Sequence, residues 1–213
     1  MIMRRLRAET RSWHDALEAT PFSIDLVGRT LPLRRYVGQL AAYRIILDTL
    51  ETRLAGSADP IVAAVWCADL AKVPLLNEDL EFFAAVSADD IPAAVVCAAE
   101  QFAATISDYA SKDPVSSLGF LYVMEGSTLG GLELAGHVRA TFGLTDSRGL
   151  AYYSSGDRRR WAAYATRMND ALLDESQQRR VLETADEGYR AIAGTIAALS
   201  EPAHGEPTPD DAD

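Results

Sequence analysis

Residues 119–136, Gly-Phe-Leu-Tyr-Val-Met-Glu-Gly-Ser-Thr-Leu-Gly-Gly-Leu-Glu-Leu-Ala-Gly, are the most informative stretch of this 213-residue chain. They lie inside a long helical pattern that opens at Asp113-Pro114 and runs to about residue 142, yet they include five glycines. A glycine in a helix interior costs roughly 0.5–1 kcal/mol relative to alanine, so five cost about 3–5 kcal/mol. The missing side chains let this backbone approach something flat, or let the helix pack closely on another helix. The glycines alone leave both interpretations open.

The rest of the chain also follows a helical pattern. It has 35 alanines, few alternating β-branched runs and no internal repeat. The expected helical segments span residues 3–18, 22–27, 33–54, 59–86 with an interruption at Pro74, 91–111, 114–142, 157–173 and 174–200, with a loop over 144–156. These segments predict one all-α domain of seven or eight helices over residues 1–200. The acidic residues 201–213 are expected to form a disordered tail.

The composition of the chain argues against several classes of function. The formal net charge of −11 argues against nucleic acid or an anionic membrane as the main partner, because both require a basic face. The uninterrupted apolar runs are shorter than ten residues and the N-terminus lacks an apolar leader, so we expect no membrane span and a cytoplasmic protein. Cys67 and Cys97 lie in apolar helical stretches without CxxC spacing, and are expected to be reduced, buried thiols.

The three histidines differ in context. His204 lies in the acidic tail, and His137 follows the glycines on about the same side of their helix. His14 has Thr10 and Glu18 one turn to either side. A lone helical histidine is usually structural, but a carboxylate four residues later is typical of a group that orients a metal-binding imidazole. One helix with such an imidazole and another with a glycine-lined face suggest a planar metal macrocycle held between them.

Two motifs carry a family resemblance. The segment 6–18, Leu-Arg-Ala-Glu-Thr-Arg-Ser-Trp-His-Asp-Ala-Leu-Glu, resembles the proximal helix of the heme oxygenases. The segment 122–131 resembles the distal helix of that family, most closely in its bacterial branch, which includes members associated with bacterial phytochromes. Residues 167–189 are similar to the C-terminal helices of the family. The resemblance spans residues 4–200 and implies an all-α fold with heme between the proximal and distal helices.

On the proximal side, the resemblance implies a role for each matching residue. His14 matches the axial ligand of the heme iron, and Glu18 matches a residue that hydrogen-bonds this histidine. Thr10 belongs to the same motif and is expected near the heme. Arg7 falls where the family often has a basic residue near a heme propionate. A second propionate partner is expected in or near Arg158–Arg160 or at Arg167, with Arg159 and Arg167 as the named candidates.

On the distal side, the resemblance places Gly126, Gly130 and Gly131 over the heme face. Many family members have an aspartate directly after the first distal glycine, where it organises water for oxygen activation. This chain has Ser127 instead. Bacterial members with similar distal motifs also lack the aspartate, so the change does not imply lost activity.

The implied activity is oxygen-dependent cleavage of heme, which serves as both cofactor and substrate, to biliverdin, CO and Fe²⁺. Biliverdin IXα is the common product of the family. The electrons would come from a ferredoxin or a flavin reductase, and a bilin-accepting phytochrome is a further partner that the resemblance suggests. Two rivals remain open at this point: a heme or bilin carrier without turnover, and a helical di-iron enzyme. The di-iron enzyme would need several Glu and His ligands on facing helices.

Overall fold

The computed structural model describes residues 1–86 and 90–200. Within these ranges it contains α-helices, short 3₁₀ turns and no β-strand, which confirms the predicted all-α class. The predicted acidic tail, residues 201–213, lies outside the described residues. The α-helices are α1 (Ile2–Glu9), α2 (Arg11–Glu18), α3 (Pro21–Gly28), α4 (Leu33–Ala55), α5 (Pro60–Val65), α6 (Val73–Phe82), α7 (Ala93–Lys112), α8 (Ser117–Phe142), α9 (Arg158–Ala171) and α10 (Glu175–Ser200).

Local sequence explains where several of these helices begin and end. Asp59 caps α5 by accepting hydrogen bonds from the backbone N–H groups of Ile61 (2.8 Å) and Val62 (3.3 Å). Asp157 caps α9 in the same way. Gly143 ends α8 with φ of 64°, a left-handed conformation that glycine adopts without steric cost.

The core is built around α8. Helices α4, α7, α8 and α10 pack against one another, and residues 117–125 of α8 are all buried. A helix segment that is buried all round lies inside a domain rather than on its surface. Beyond residue 125, however, α8 alternates between buried and exposed positions. The glycine-rich part of α8 therefore begins where the helix leaves the core.

The predicted helix over residues 3–18 is in fact two helices, and that expectation was wrong. The chain breaks at Thr10, where φ is −101° and ψ is 4°. The Thr10 hydroxyl donates to the carbonyl of Leu6 at 2.8 Å, and such a bond back to the preceding turn bends a helix. Thr10 is also 4% exposed, so the bend occurs at a buried contact. This break is one reason that the helix count exceeds the predicted seven or eight.

Other boundaries and burials also differ from the sequence-based expectations. The interruption in the 59–86 region lies between α5 and α6, and Pro74 sits in the first turn of α6, where proline is tolerated. Asp113-Pro114 opens a 3₁₀ turn that leads into α8. Cys67 is partly buried and Cys97 is exposed, so the prediction of two buried thiols was wrong for Cys97.

The loop between α8 and α9 is tightly held by the core. The hydroxyl of Tyr36 donates to the carbonyl of Gly149 at 2.9 Å. The carboxylate of Asp79 accepts hydrogen bonds from the backbone N–H groups of Ala151 (2.7 Å) and Tyr152 (2.8 Å). These contacts place Tyr152, which is buried, directly beside α8.

Candidate functional site

The glycines of α8 fall into two groups. A Cβ atom at Gly119 would lie 2.2 Å from the Thr184 hydroxyl oxygen of α10, and one at Gly131 would lie 3.2 Å from the backbone oxygen of Tyr153. These two glycines are explained by close packing. A Cβ at Gly130 would meet no atom of the described residues within 4 Å, and one at Gly126 would make only ordinary contact with the Trp161 ring at 3.7 Å. Close packing therefore accounts for Gly119 and Gly131, and the ligand-facing role of Gly126 and Gly130 stays a prediction.

The imidazole of His14 lies beside the carboxylate of Glu18, which is one turn further along α2. Its Nδ1 atom lies 3.2 Å from the Glu18 carboxylate, and the side chain is 59% exposed. When Nδ1–H donates to Glu18, the lone pair of the other ring nitrogen, Nε2, is free to bind a metal. The adjacent Trp13 donates from Nε1 to the Asp186 carboxylate of α10 at 2.6 Å, which anchors α2 beside His14.

Two contacts tie the N-terminal helices to α8, one on each side of its glycines. At one end, Thr10 lies next to the hydroxyl groups of Tyr122 and Tyr189. Burial raises the pKa of both tyrosines, to about 12 for Tyr189, and keeps their hydroxyls neutral. At the other end, His137 Nδ1 lies 3.1 Å from the carbonyl of Val27. Tyr122 and His137 are about 22 Å apart along α8, given a rise of 1.5 Å per residue.

His14 and Gly126 each lie one turn beyond the Thr10–Tyr122 contact, and Glu18 and Gly130 lie one turn further still. Helix α2 packs mainly on α10 and α3 rather than on α8. The contacts at its two ends therefore place the N-terminal helices alongside the part of α8 that carries Gly126 and Gly130. We call the space between α2 and this part of α8 the cleft.

Ser127 is held by a buried tyrosine that sequence reasoning left unassigned in a loop. Its hydroxyl donates to the carbonyl of Met124 at 2.7 Å and lies 3.1 Å from the hydroxyl of Tyr152. A serine has one hydroxyl hydrogen, so Tyr152 must be the donor in the second contact. Burial raises the pKa of Tyr152 well above its usual value, so this donor stays protonated. Ser127 then has one lone pair left to accept a hydrogen bond from the cleft, and no hydrogen to give.

The predicted propionate partners lie in two different places. Arg7 is exposed at the Thr10 end of the cleft, where burial raises the pKa of Tyr122 and the nearby Arg7 charge only partly opposes that rise. Arg159 and Arg167 instead line a separate pocket of about 420 Å³ together with Cys67. Arg167 donates there to the carbonyl of Val65 at 2.9 Å and to the Cys67 sulfur at 3.3 Å.

Helix α9 faces the cleft through Trp161, whose ring approaches Gly126. Around the axis of α9, Arg159 and Arg167 lie about 160° and 120° from Trp161, whereas Arg158 lies about 60° from it. The structure therefore does not bring Arg159 and Arg167 to the cleft. Trp161 itself has no polar motif, and no feature of the sequence indicated its position.

A different metal site is poorly supported by the described residues. Within residues 1–86 and 90–200, the one group of His, Cys, Asp and Glu side chains close enough to share a metal is His14, Asp15 and Glu18. All three belong to α2 and are exposed. A di-iron centre requires carboxylate and histidine ligands from several facing helices, and this group does not provide them.

Among the helices of residues 1–86 and 90–200, none combines the length and the apolar character needed to cross a membrane.

Comparison with solved structures gives the same architecture in several proteins. Heme oxygenase-2 from Synechocystis sp. PCC 6803, in complex with heme and NO, is similar with a TM-score of 0.84 at 22% identity, covering 93% of this chain and 84% of that chain. The heme oxygenase from Leptospira interrogans has a TM-score of 0.82 at 20% identity, and the match covers 94% of this chain and 99% of that chain. Heme oxygenase 2 from Chlamydomonas reinhardtii, without heme, has a TM-score of 0.81 at 17% identity, and the match covers 95% of this chain and 99% of that chain.

The family model described as heme oxygenase matches residues 1–193, which is most of the chain. The chain therefore belongs to the heme oxygenase family, and the predicted family resemblance is confirmed. Family and fold together support heme binding and heme degradation in general. A search of curated protein sequences found no significant match.

Proposed function

We propose that this protein cleaves heme with O₂ and external electrons to biliverdin IXα, CO and Fe²⁺. The observation that carries the proposal is that His14 lies beside Glu18 on α2, whereas Gly130 leaves open space on α8, on the other side of the cleft. Heme bound in this cleft supplies both the iron that activates O₂ and the macrocycle that is oxidised. The protein orients the heme, keeps competing side chains away from it and directs protons to the site of reaction.

On the proximal side, His14 is the iron ligand in this proposal. The Glu18 carboxylate holds the ring with Nδ1–H toward α2 and so presents Nε2 to the cleft. A neutral histidine ligand donates less electron density than a thiolate, which favours oxygenation of the macrocycle over cleavage of the O–O bond. Thr10 supports this geometry indirectly, because its buried contact with Tyr122 and Tyr189 fixes the start of α2.

On the distal side, backbone and ordered water do the work that a side-chain acid does in other oxygen-activating sites. Gly126 and Gly130 leave room for the ligand, whereas Gly131 is explained by its contact with Tyr153. Ser127 accepts a hydrogen bond from one hydrogen of a water molecule and thereby leaves the other hydrogen of that water directed into the cleft. The hydrogen bond from Tyr152 keeps the Ser127 hydroxyl in this acceptor role.

At the edge of the cleft, arginines pair with the two heme propionates in this proposal. Arg7 serves one propionate, because it lies at the Thr10 end and faces the Tyr122 hydroxyl. Arg158 serves the other, since it shares the side of α9 that meets Gly126. In a protein of net charge −11, positive charge at this rim also draws the anionic substrate toward the cleft.

The proposal needs an electron donor, for which a ferredoxin or a flavin reductase is the candidate, and it places the protein in the cytoplasm. A bilin-accepting phytochrome would consume the product. The experiment is to reconstitute the protein with heme and follow its absorption spectrum after ferredoxin, its reductase and NADPH are added. An oxygenase loses the Soret band and forms a bilin spectrum. A heme carrier on the same fold keeps its Soret band, and that result would contradict the proposal.

A further inference from the structure

The residue directly before the first distal glycine is a buried carboxylate between two cations. The Glu125 side chain is 2% exposed. Its Oε2 atom lies 2.7 Å from Lys72 Nζ, and its Oε1 atom lies 2.9 Å from Arg160 Nε. Lys72 is itself 3% exposed and Arg160 is 20% exposed. We call these three residues the charge triad. None of them has a role in the function proposed above.

The charge triad connects α8 to three other parts of the fold. Lys72 Nζ also donates to the carbonyl of Leu70 at 2.8 Å, in the turn that precedes α6. Arg160 Nη2 donates to the carbonyl of Ser155 at 2.6 Å, in the loop before α9. The backbone N–H of Lys72 donates to the Glu51 carboxylate of α4 at 2.6 Å. Glu125 is thus the point at which α8 is attached to this network.

The segment that follows Glu125 is an intrinsically weak helix. Residues 126–131, here named the distal segment, contain three glycines, each of which costs roughly 0.5–1 kcal/mol in a helix. The hydroxyls of Ser127 and Thr128 donate back to the carbonyls of Met124 (2.7 Å) and Glu125 (2.8 Å). Such bonds in consecutive residues compete with the regular helix pattern and bend the helix. The position of the distal segment must therefore be determined by contacts outside it.

Stability alone does not account for the charge triad. Burial lowers the pKa of Lys72, and the attraction to Glu125 only partly offsets this desolvation cost. Replacing a buried ion pair or triad by apolar residues of similar volume is often neutral or stabilising. A buried charge network at this place is better explained by the geometry that it imposes on the chain. Ion pairs have strict distances and directions, whereas apolar contacts tolerate sliding.

We propose that Glu125 is a positioning residue that fixes the distal segment against α9 and the loop before it. It acts through the backbone, because its side chain points toward Lys72 and Arg160 and makes its bonds there. The proposal rests on the proposed function only for its consequence, which is the depth of the cleft at Gly126 and Gly130.

The test compares two sets of substitutions in the full-length, heme-free protein by amide hydrogen exchange. The triple variant Lys72→Met, Glu125→Leu, Arg160→Met makes the charge triad apolar. The control, Arg180→Met with Asp113→Asn, removes another partly buried ion pair, and asparagine keeps the hydrogen bond that Asp113 accepts from Val115. We expect the triple variant to melt within a few degrees of the unchanged protein. Exchange in the distal segment should accelerate at least about tenfold, equivalent to about 1.4 kcal/mol of local stability.

Exchange across α10 should stay unchanged in the triple variant, and the control should leave the distal segment unchanged. Unchanged exchange in the distal segment, or equal acceleration in every helix, would overturn the positioning role. If the triple variant does not fold, Glu125→Gln is measured in its place, because it removes the charge at constant shape. The same local acceleration is then expected, and its absence counts against the proposal. No heme is used, so the result is independent of whether the protein degrades heme.

Discussion

Gly119, Gly130 and Gly136 of α8 should respond differently to alanine and leucine substitutions, and this difference tests the cleft. Gly130 and Gly136 each have open space where a Cβ would be placed, whereas at Gly119 the Cβ would meet Thr184 and the backbone of Val181 at 2.2–2.3 Å. Gly130 borders the cleft, and Gly136 is exposed more than one turn further along, on a different side of the helix. Substitutions at Gly136 thus measure helix propensity, those at Gly119 measure packing, and those at Gly130 measure ligand contact.

The expected magnitudes follow from these surroundings. Gly130→Ala and Gly136→Ala should each stabilise the heme-free protein by about 0.5–1 kcal/mol, because alanine loses less backbone entropy in a helix. In a protein of this size, that raises the melting temperature by about 1–4 °C. Gly119→Ala should instead destabilise by about 1–3 kcal/mol through overpacking. Gly130→Leu should weaken heme binding at least about tenfold, or 1.4 kcal/mol, because its side chain enters the cleft.

The assay combines thermal unfolding of the heme-free variants with heme titration followed at the Soret band. Gly136→Leu is the matched control, since it adds the same side chain outside the cleft and should leave heme affinity unchanged. Opposite signs for stability and affinity at Gly130, with no change in affinity at Gly136, would support the cleft. Equal heme affinity in Gly130→Leu and Gly136→Leu would refute it and would leave helix packing as the role of the distal glycines.

Three further predictions concern side chains of the cleft. His14→Ala should lose the histidine-ligated heme spectrum and turnover, with added imidazole restoring both; an unchanged spectrum would exclude this ligand. Ser127→Ala and Tyr152→Phe should each slow bilin formation by about tenfold, or 1.4 kcal/mol of barrier, and the double variant should be no slower than either, because the two hydroxyls act as one unit. Full additivity, or complete loss of turnover in either single variant, would contradict that pairing. Arg7→Ala should weaken heme affinity by about 1 kcal/mol and change the ratio of biliverdin isomers, whereas Arg159→Ala should do neither; chromatography of the isomers decides between them.

The fold class could be predicted because alanine content and apolar spacing report helices directly. The break at Thr10 could not, because the motif 6–18 has uninterrupted helical periodicity and the bend depends on a buried contact with Tyr122 and Tyr189. Tertiary contacts of this kind override local preference. The exposure of Cys97 has a similar origin, since burial of one face of α7 depends on which helices cover it.

The candidate site likewise combines features that the sequence predicts with features that depend on the fold. The pairing of His14 and Glu18 follows from helical spacing alone and is present in the structure. The pattern of the distal glycines predicts that Gly126 and Gly130 face the ligand, whereas the packing roles of Gly119 and Gly131 depend on residues far away in the chain. Tyr152 was missed because a tyrosine in a loop of serines and glycines carries no sign of burial. The positions of Arg159 and Arg167 could likewise not be predicted, because they depend on which side of α9 faces the cleft.

The central claim is that heme bound between α2 and α8 is the substrate of this protein. The measurement that tests it most directly is the yield of CO and bilin per heme consumed, with ferredoxin, its reductase and NADPH as the electron source. CO is trapped by reduced myoglobin, and the bilin is separated by chromatography. Equimolar CO and biliverdin are expected, and both should be lost in His14→Ala. Heme that disappears without CO, or a Soret band that persists under reductant and O₂, would contradict it.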